Sequence, residues 1–424
     1  MNKIVEKNVN GLKGEIVIPS DKSLSHRAIM LNSIAKGEAK IENFSKGADC
    51  HSTLNLFKNL GVEVEFTGEQ SLILKSKGKL VAPKVDLNCG NSGTTMRLVS
   101  GILSGQNFNS TLFGDASLSK RPMKRVIEPL SLMGAKIESN DFKAPLKIFG
   151  QELQGINYVS KLASAQVKSC ILLAGLNASG QTSFTEPYKS RNHTELMLEY
   201  LGANIRCENE KTTVENSELV ARDMNICGDI SSAGFFIVAG LVVPNSDIIL
   251  KHVGLNPTRT GILDVVEMMG GNVEILDKKV VANEEVGDIR VRYSDLHSCE
   301  ISGSLIPRLI DEIPVIAVMA TQAEGTTVIK DAQDLRNKES DRITAVVTEL
   351  RKFGAEIEET PDGMIIYGKK DLKGDCEIET YHDHRLAMSM YVAGMISQKP
   401  SQINDFQWVD ISFPEFETLM MSLG

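Results

Sequence analysis

One short signature recurs five times along this chain, and it limits the folds open to it. The copies are Leu60-Gly61-Val62-Glu63-Val64-Glu65, Met133-Gly134-Ala135-Lys136-Ile137-Glu138, Leu201-Gly202-Ala203-Asn204-Ile205-Arg206, Met269-Gly270-Gly271-Asn272-Val273-Glu274 and Phe353-Gly354-Ala355-Glu356-Ile357-Glu358. Successive glycines are 73, 68, 68 and 84 residues apart. Each copy ends an amphipathic helix and starts an alternating strand. The glycine supplies the left-handed helix C-cap, and the alternation after it has the period of a half-buried strand. The sequence stops at Leu423-Gly424, 70 residues after Gly354, like a sixth helix cut just before its strand. The N-terminal stretch 3–9 reads as the missing strand. Periods near 70 are too long for a solenoid and suit a βαβ-containing unit used six times. Helix–Gly–strand junctions occur in any α/β protein, but five matched copies at near-regular spacing favour a true repeat.

Three copies end between residues 66 and 207, and the others lie after about residue 228. The chain of 424 residues is long enough for two or three domains. The pattern predicts an α/β protein of two similar domains. One is discontinuous, 1–18 plus 228–424; the other is 19–227. The crossings are expected near Ile18–Asp21 and Cys227–Ser231.

A formal net charge of −9 argues against nucleic acid as a partner. The longest nearly apolar run, Ala233 to Pro244, is too short to span a bilayer. Met1-Asn2-Lys3-Ile4-Val5-Glu6 has no apolar signal core. The seven cysteines (Cys50, Cys89, Cys170, Cys207, Cys227, Cys299, Cys376) are scattered, with no CxxC pair. These features read as a soluble cytoplasmic protein with reduced, mostly buried thiols and no membrane or nucleic-acid partner.

Against this acidic background, several turns rich in cations and hydroxyls stand out. Pro19-Ser20-Asp21-Lys22-Ser23-Leu24-Ser25-His26-Arg27 follows the apolar run Gly14 to Ile18 and precedes a helix expected over 28–35. Lys22 and Arg27 are thereby placed at a strand-to-helix turn, where backbone N–H groups and the helix dipole favour an anion. Cys89-Gly90-Asn91-Ser92-Gly93-Thr94-Thr95-Met96-Arg97 is a Gly-rich turn opening a helix. It lacks both the Walker GKS/T and the dinucleotide third glycine. An N-capped helix start accounts for it as well as a ligand does. Lys120-Arg121-Pro122-Met123-Lys124-Arg125 puts four cations in six residues. With Pro122 in a first helical turn they oppose the helix dipole, a cost that a bound anion offsets; a solvated basic face is the plain alternative.

Ser164-Ala165-Gln166 precedes an apolar helix expected over 170–176, and Arg191 opens the next one. Asp311-Glu312 stands at the edge of the apolar run Ile313 to Ala317. Paired carboxylates there are costly unless used, so one is a candidate general base; an N-capping Asp is the alternative. Arg336-Asn337-Lys338-Glu339-Ser340-Asp341-Arg342 is expected to start a helix running to Phe353. That puts Lys338 and Arg342 at i, i+4 on one face, with Glu339 beside them to exchange a proton. The Glu339/Arg342 pair reads equally as a surface salt bridge. His382-Asp383-His384-Arg385 opens a helix expected over 386–394. Its His-x-His lacks a third soft ligand for a metal, and His384 with Arg385 facing an anion fits the other turns better.

Together, in order and over the whole chain, these stretches resemble the 5-enolpyruvylshikimate-3-phosphate synthase family. The carriers are Asp21 to Arg27, Gly90 to Arg97, Lys120-Arg121-Pro122, Ser164-Ala165-Gln166, Asp311-Glu312, Lys338 to Arg342 and Asp383-His384-Arg385. The resemblance implies two domains of three βαβαββ units each, an inverse α/β barrel-like fold with the active site in the interdomain cleft. It implies transfer of the enolpyruvyl group of phosphoenolpyruvate to the 5-hydroxyl of shikimate 3-phosphate, the sixth step toward chorismate and the aromatic amino acids. It implies no cofactor and no metal, a monomer, and glyphosate as a possible inhibitor. By matching positions, Lys22, Ser23, Arg27, Ser164, Ala165, Gln166, Arg191, Asp311 and Lys338 would hold shikimate 3-phosphate. Lys22, Asn91, Gly93, Arg121, Gln166, Arg342, His384 and Arg385 would hold phosphoenolpyruvate. Asp311 would accept the 5-hydroxyl proton, and Glu339 and Lys22 would work on the proton at the vinyl carbon. Domain closure on substrate binding, with the crossings as hinges, is also expected.

Some positions depart from the family pattern. Ile411, two residues before Phe413-Pro414, stands where many members carry Lys. Asp334 and Arg191 stand where some carry Asn and Tyr. The Arg191 and His26 pattern resembles the class that often tolerates glyphosate, although Gly93 leaves room for that inhibitor. Two other readings compete. The related transferase acting on UDP-N-acetylglucosamine usually has Cys five residues before the arginine matching Arg121, where this chain has Ala116, and Lys-Asn where this chain has Lys22-Ser23. A non-catalytic anion-binding module of the same fold would predict loss of Asp311, Glu339 and Lys22, all of which are present.

Overall fold

The computed structural model describes Met1–Gly424. Five four-stranded sheets recur with one strand order, a first strand parallel to a second, which pairs in turn with a hairpin, and a sixth sheet is a variant of it. In the second repeat, Leu87–Asn88 lies parallel to Ser110–Phe113, followed by the antiparallel pair Lys143–Phe149 and Lys136–Asn140. The helices Gly93–Ser104 and Lys124–Leu132 connect these strands, which gives βαβαββ. The five signature glycines all end helices with φ between +76° and +94°, a conformation that an L side chain resists.

The repeats are closed by distant pieces of chain. Met224–Asn225 supplies the first strand beside Lys36–Glu42, and Lys13–Val17 the first strand beside Asp247–Gly254. Lys3–Val5 pairs antiparallel with Ser401–Ile403, which itself lies parallel to Glu377–Ile378. The N-terminal strand therefore takes the place of the hairpin that the C-terminal helix, Phe416–Met421, lacks. That sheet has three strands instead of four.

Contacts divide the chain into two compact units. A terminal unit comprises 1–19, 227–279 and 285–424; a middle unit comprises 20–226 and 280–284. The tip of the hairpin Asn272–Val281/Glu284–Arg292 clusters with the middle unit. The cause is local: His193 Nδ1 lies 2.6 Å from Glu284 Oε1, both buried.

The first helix of each repeat is buried over most of its length. In the terminal unit these are Ile230–Val242, Ile313–Thr321 and His384–Ile396, which pack on one another within one hydrophobic core. In the middle unit they are Lys22–Ile34, Gly93–Ser104 and Ala165–Gly175. Gly101 is required where two of them meet, since a Cβ there would lie 2.2 Å from the Cys170 carbonyl oxygen. Sheets cover these central helices, so the N-termini of the helices are the natural place for polar groups.

Several local expectations change. Lys22 and Arg27 are not in a turn but in the helix Lys22–Ile34, capped by the Asp21 side chain on Leu24 N at 2.8 Å. The helices expected to start at 170 and 386 start at Ala165 and His384. Pro122 is not in a helical first turn: it lies between the 3-10 turn Leu118–Lys120 and the helix Lys124–Leu132. Arg191 precedes the helix His193–Tyr200 by two residues. The stretch before Arg342 is not α-helix but a 3-10 turn, Gln333–Asn337, ended by extended Lys338. Asp341 caps the helix Arg342–Lys352 through Thr344 N, and that cap sets where the helix begins.

Two predictions follow from this architecture. At Gly202 a Cβ meets nothing within 4 Å, while φ is +90°. Gly202→Ala should therefore cost about 1 kcal/mol from backbone strain alone. Gly61→Ala should cost more in the same denaturation series, because its Cβ would lie 2.7 Å from Val81 Cγ2. His26 is buried, with Nδ1 2.7 Å from Thr53 Oγ1, which leads to Thr95 and Ser92. Burial pushes its imidazole down to about 3; Asp49 opposes this, and Lys22 and Arg27 assist. Between pH 6.5 and 3 the unfolded chain thus binds a proton at His26 that the folded chain does not. Its contribution to stability is full above pH 6.5 and falls on acidification, by up to about 1.4 kcal/mol per pH unit. His26→Asn should flatten this acid limb in urea melts at stepped pH; an unchanged slope would show that His26 does not titrate as described.

Candidate active site

In the middle unit the candidate residues gather at helix starts. Ser92 caps the helix Gly93–Ser104 through Thr95 N at 3.1 Å, which leaves Asn91 and Gly93 on the approach. Asn91 is held by Asp115 Oδ2 at 2.6 Å and accepts from Arg121 Nη2 at 3.1 Å. Arg97 Nη1 donates to Gln166 Oε1 at 2.6 Å, and Gln166 Nε2 donates to Thr94 Oγ1 at 3.1 Å. A Cβ at Gly93 would lie 3.1 Å from Arg97 Nη1 and 3.6 Å from Arg121 Nη1. The Gly-rich turn, the basic turn and the Ser164-Ala165-Gln166 helix start thus converge on one spot, with two guanidinium groups beside bare backbone. That is a ready site for a small anion.

Ser164 occupies the N-cap position of Ala165–Gly175 but makes no capping bond, and Ala165 and Gln166 are half-buried beside it. Lys22 Nζ meets Asp49 Oδ2 at 2.5 Å. Arg27 is buried and spread over three partners: Nε donates to Thr194 Oγ1 at 2.8 Å, Nη2 to Ser169 Oγ at 3.1 Å and Nη1 to the Ser23 carbonyl at 3.1 Å. Its planar fork is therefore fixed before any ligand arrives.

In the terminal unit a single network carries the rest. Arg342 is buried against three carboxylates. Nε reaches Asp383 Oδ2 at 2.7 Å, Nη2 reaches Glu339 Oε2 at 2.7 Å and Nη1 reaches Asp311 Oδ1 at 3.4 Å. Lys338 Nζ lies 3.3 Å from the same Asp311 oxygen. Arg385 donates its backbone N–H to Asp383 Oδ1 at 2.9 Å and its Nη1 to the Asp311 carbonyl at 3.3 Å, with Glu312 Oε1 at 3.8 Å. Burial works against the Arg342 charge, but Asp383 and Glu339 more than restore it and raise its pKa. Burial likewise disfavours the Asp383 carboxylate, yet Arg342 holds it below the usual range. Both stay ionised because each is the other's partner.

Asp311, Lys338, Glu339, Arg342 and Arg385 are thus brought together, although Lys338 and Arg342 meet through Asp311 and not through helical spacing. Asp311 is not a helix cap: it lies just before Glu312, which holds the N-cap position of Ile313–Thr321 without a side-chain bond. His384 is the buried first residue of its helix, and Ile411 ends the 3-10 turn Phe406–Ile411, half-buried. No group of three or more His, Cys, Asp or Glu side chains is arranged to hold a metal ion. No helix is long and apolar enough to cross a membrane.

Three residues take part for which the sequence suggests no role. Asp383 lies in the His382–Arg385 motif beside more conspicuous basic neighbours. Arg97 closes the Gly-rich motif. Asp49 has no local signal at all, since its partner Lys22 is 27 positions away.

The family model for EPSP synthase (3-phosphoshikimate 1-carboxyvinyltransferase) matches residues 7–420. Relatives named 3-phosphoshikimate 1-carboxyvinyltransferase include one from Thermoanaerobacter sp. (strain X514), 52% identical over 410 residues and 96% of each chain. Another, from Bacillus subtilis (strain 168), is 50% identical over 414 residues, again 96% of each chain. Among solved structures, the EPSP synthase of Acinetobacter baumannii is similar with a TM-score of 0.90 at 40% identity, over 100% of this chain and 98% of that one. The enolpyruvyl transferase NikO from Streptomyces tendae has a TM-score of 0.78 at 14% identity over 99% and 97%, a likeness of fold alone. With the helix starts, the arginine–carboxylate network and these likenesses in agreement, the chain belongs to the EPSP synthase (3-phosphoshikimate 1-carboxyvinyltransferase) family.

Proposed function

We propose that this protein transfers the enolpyruvyl group of phosphoenolpyruvate to the 5-hydroxyl of shikimate 3-phosphate and releases phosphate. The observation that carries this reading is Asp311. Its carboxylate lies 3.3 Å from Lys338 Nζ and 3.4 Å from Arg342 Nη1, on a backbone gripped by Arg385. A carboxylate so placed has its orientation fixed and stands next to cations that attract an anionic substrate.

Two substrates that each carry several negative charges repel one another in water. Fixed arginines remove that obstacle, and Arg binds carboxylate and phosphate with two parallel bonds. In this reading Lys22, Ser23, Arg27, Ser164, Ala165, Gln166, Arg191, Asp311 and Lys338 hold shikimate 3-phosphate. Lys22, Asn91, Gly93, Arg121, Gln166, Arg342, His384 and Arg385 hold phosphoenolpyruvate. The 5-oxygen bonds to the central carbon of phosphoenolpyruvate while its proton passes to Asp311. A proton is delivered to the methylene carbon by Glu339 or Lys22. The adduct then loses phosphate as the methyl carbon returns a proton, and the enol ether results. No metal or redox partner enters this balance. The residues assigned here fall in both units, Lys22 to Arg191 in the middle one and Asp311 to Arg385 in the terminal one. With Ile411 in place of the usual Lys, phosphoenolpyruvate relies on one cation fewer. Ala116 and Lys22-Ser23 disfavour the UDP-sugar transferase reading.

Phosphate release measured with each substrate omitted in turn, in EDTA, should require both and ignore the chelator. Release with UDP-N-acetylglucosamine but not with shikimate 3-phosphate would overturn the assignment. Asp311→Asn should lower kcat by about 10²–10⁴-fold, while calorimetry still detects shikimate 3-phosphate binding. Unchanged turnover would remove Asp311 from the role of base.

A further inference from the structure

Lys168 is buried in the middle unit between two equally buried carboxylates. Its Nζ lies 2.7 Å from Glu186 Oε1 and 2.7 Å from Glu195 Oε1. One cation against two carboxylates leaves the cluster short of positive charge, and Oε2 of both Glu186 and Glu195 is buried without a hydrogen-bond partner. Burial disfavours the ammonium, but Glu195 and Glu186 outweigh it and raise its pKa. Buried ion clusters of this kind are poor devices for stability, since well-packed apolar groups do as well or better. Their geometry is the better guide to their use.

The cluster grips one residue, Ser190, through the peptide groups on both sides of it. The Ser190 N–H donates to Glu186 Oε1 at 2.9 Å, and Lys168 Nζ donates to the Ser190 carbonyl at 3.2 Å. Ser190 is the residue before Arg191. Lys168 stands in the first turn of Ala165–Gly175, the helix whose start carries Ser164, Ala165 and Gln166, and Glu195 stands in the first turn of His193–Tyr200. The adjacent residues of the same two helices, Ser169 and Thr194, bond each other at 2.6 Å and together hold the Arg27 guanidinium. Two neighbouring rungs thus join the helices: Lys168 with Glu195, and Ser169 with Thr194. One rung sets the turn that carries Arg191; the other sets Arg27.

The structure assigns to Lys168 the role of a positioning residue for shikimate 3-phosphate: through Ser190 it fixes Arg191, and through the adjacent rung it fixes Arg27, relative to the Ser164–Gln166 helix start. This assignment rests on the substrate reading given above. The Lys168 ammonium bonds Glu186, Glu195 and Ser190, none of which is placed on phosphoenolpyruvate, so its effect is selective.

The test is steady-state kinetics of the full-length wild type, Lys168→Met and Lys168→Arg, with each substrate varied at saturation of the other. Misplacing one charge-assisted contact should raise KM for shikimate 3-phosphate in Lys168→Met by about ten- to a hundredfold. KM for phosphoenolpyruvate should stay within about twofold, and Lys168→Arg should recover most of the loss, since it restores a donor to the carboxylates and the carbonyl. Equal shifts in both KM values, a loss confined to kcat, or no change would overturn the assignment. If Lys168→Met does not fold, the double variant Lys168→Met with Glu195→Gln leaves one bare carboxylate in place of two, and it is expected to give the same split. A wild type that releases no phosphate from these substrates would refute the substrate reading itself. An active wild type with an unsplit variant would refute the role of Lys168 alone.

Discussion

The site in the terminal unit depends on the ionisation of one buried arginine. Arg342 costs a great deal to bury alone, and it remains charged because Asp383 accepts from its Nε and Nη2 while Glu339 and Asp311 accept from Nη2 and Nη1. Asp383 in turn caps the helix His384–Ile396 and aligns the Arg385 backbone. One ion pair therefore fixes two arginines and the candidate base. When a carboxylate- or phosphate-bearing ligand arrives, the cations are already ordered, and little entropy remains to be lost.

The repeat explains why such groups collect at all. Each of the six units buries its first helix and covers it with a small sheet, so polar residues are pushed to the helix N-terminus. The copies then bring Asp21, Ser92 and Ser164 to the N-cap position in one unit, with Lys22 and Asn91 beside two of them, and Asp229, Glu312 and Asp383 to the N-cap position in the other. A helix start favours anions for general reasons, and the arginines add charge and direction. The Lys168 cluster applies the same device: a buried charge holds the Ser190 backbone still beside Arg191.

The sequence made the large features legible because they are local. Gly61, Gly134, Gly202, Gly270 and Gly354 announce a helix end by themselves, and their spacing gives the repeat and the split of the chain. The helix starts carried their chemistry in adjacent letters, as in Lys22-Ser23 or His384-Arg385. What was not legible depended on partners far away in sequence. The 3-10 turn Gln333–Asn337 replaces an expected helix because Arg336 is drawn to Asp341, Glu359 and the Thr360 carbonyl. Asp49 and Asp383 gain meaning only through Lys22 and Arg342. The hairpin tip 280–284 joins the middle unit through Glu284 and His193, 91 residues apart.

The central claim is that these fixed charges promote addition of an alcohol oxygen to phosphoenolpyruvate, with a proton placed on the methylene carbon and later withdrawn. The most direct test is the reaction run in deuterium oxide with shikimate 3-phosphate and phosphoenolpyruvate, followed by proton NMR of the enol ether product. The account predicts deuterium at the vinyl carbon of the product, and none entering phosphoenolpyruvate incubated with the protein alone. A product formed with its vinyl protons fully retained would contradict the addition–elimination route and the roles given to Glu339 and Lys22.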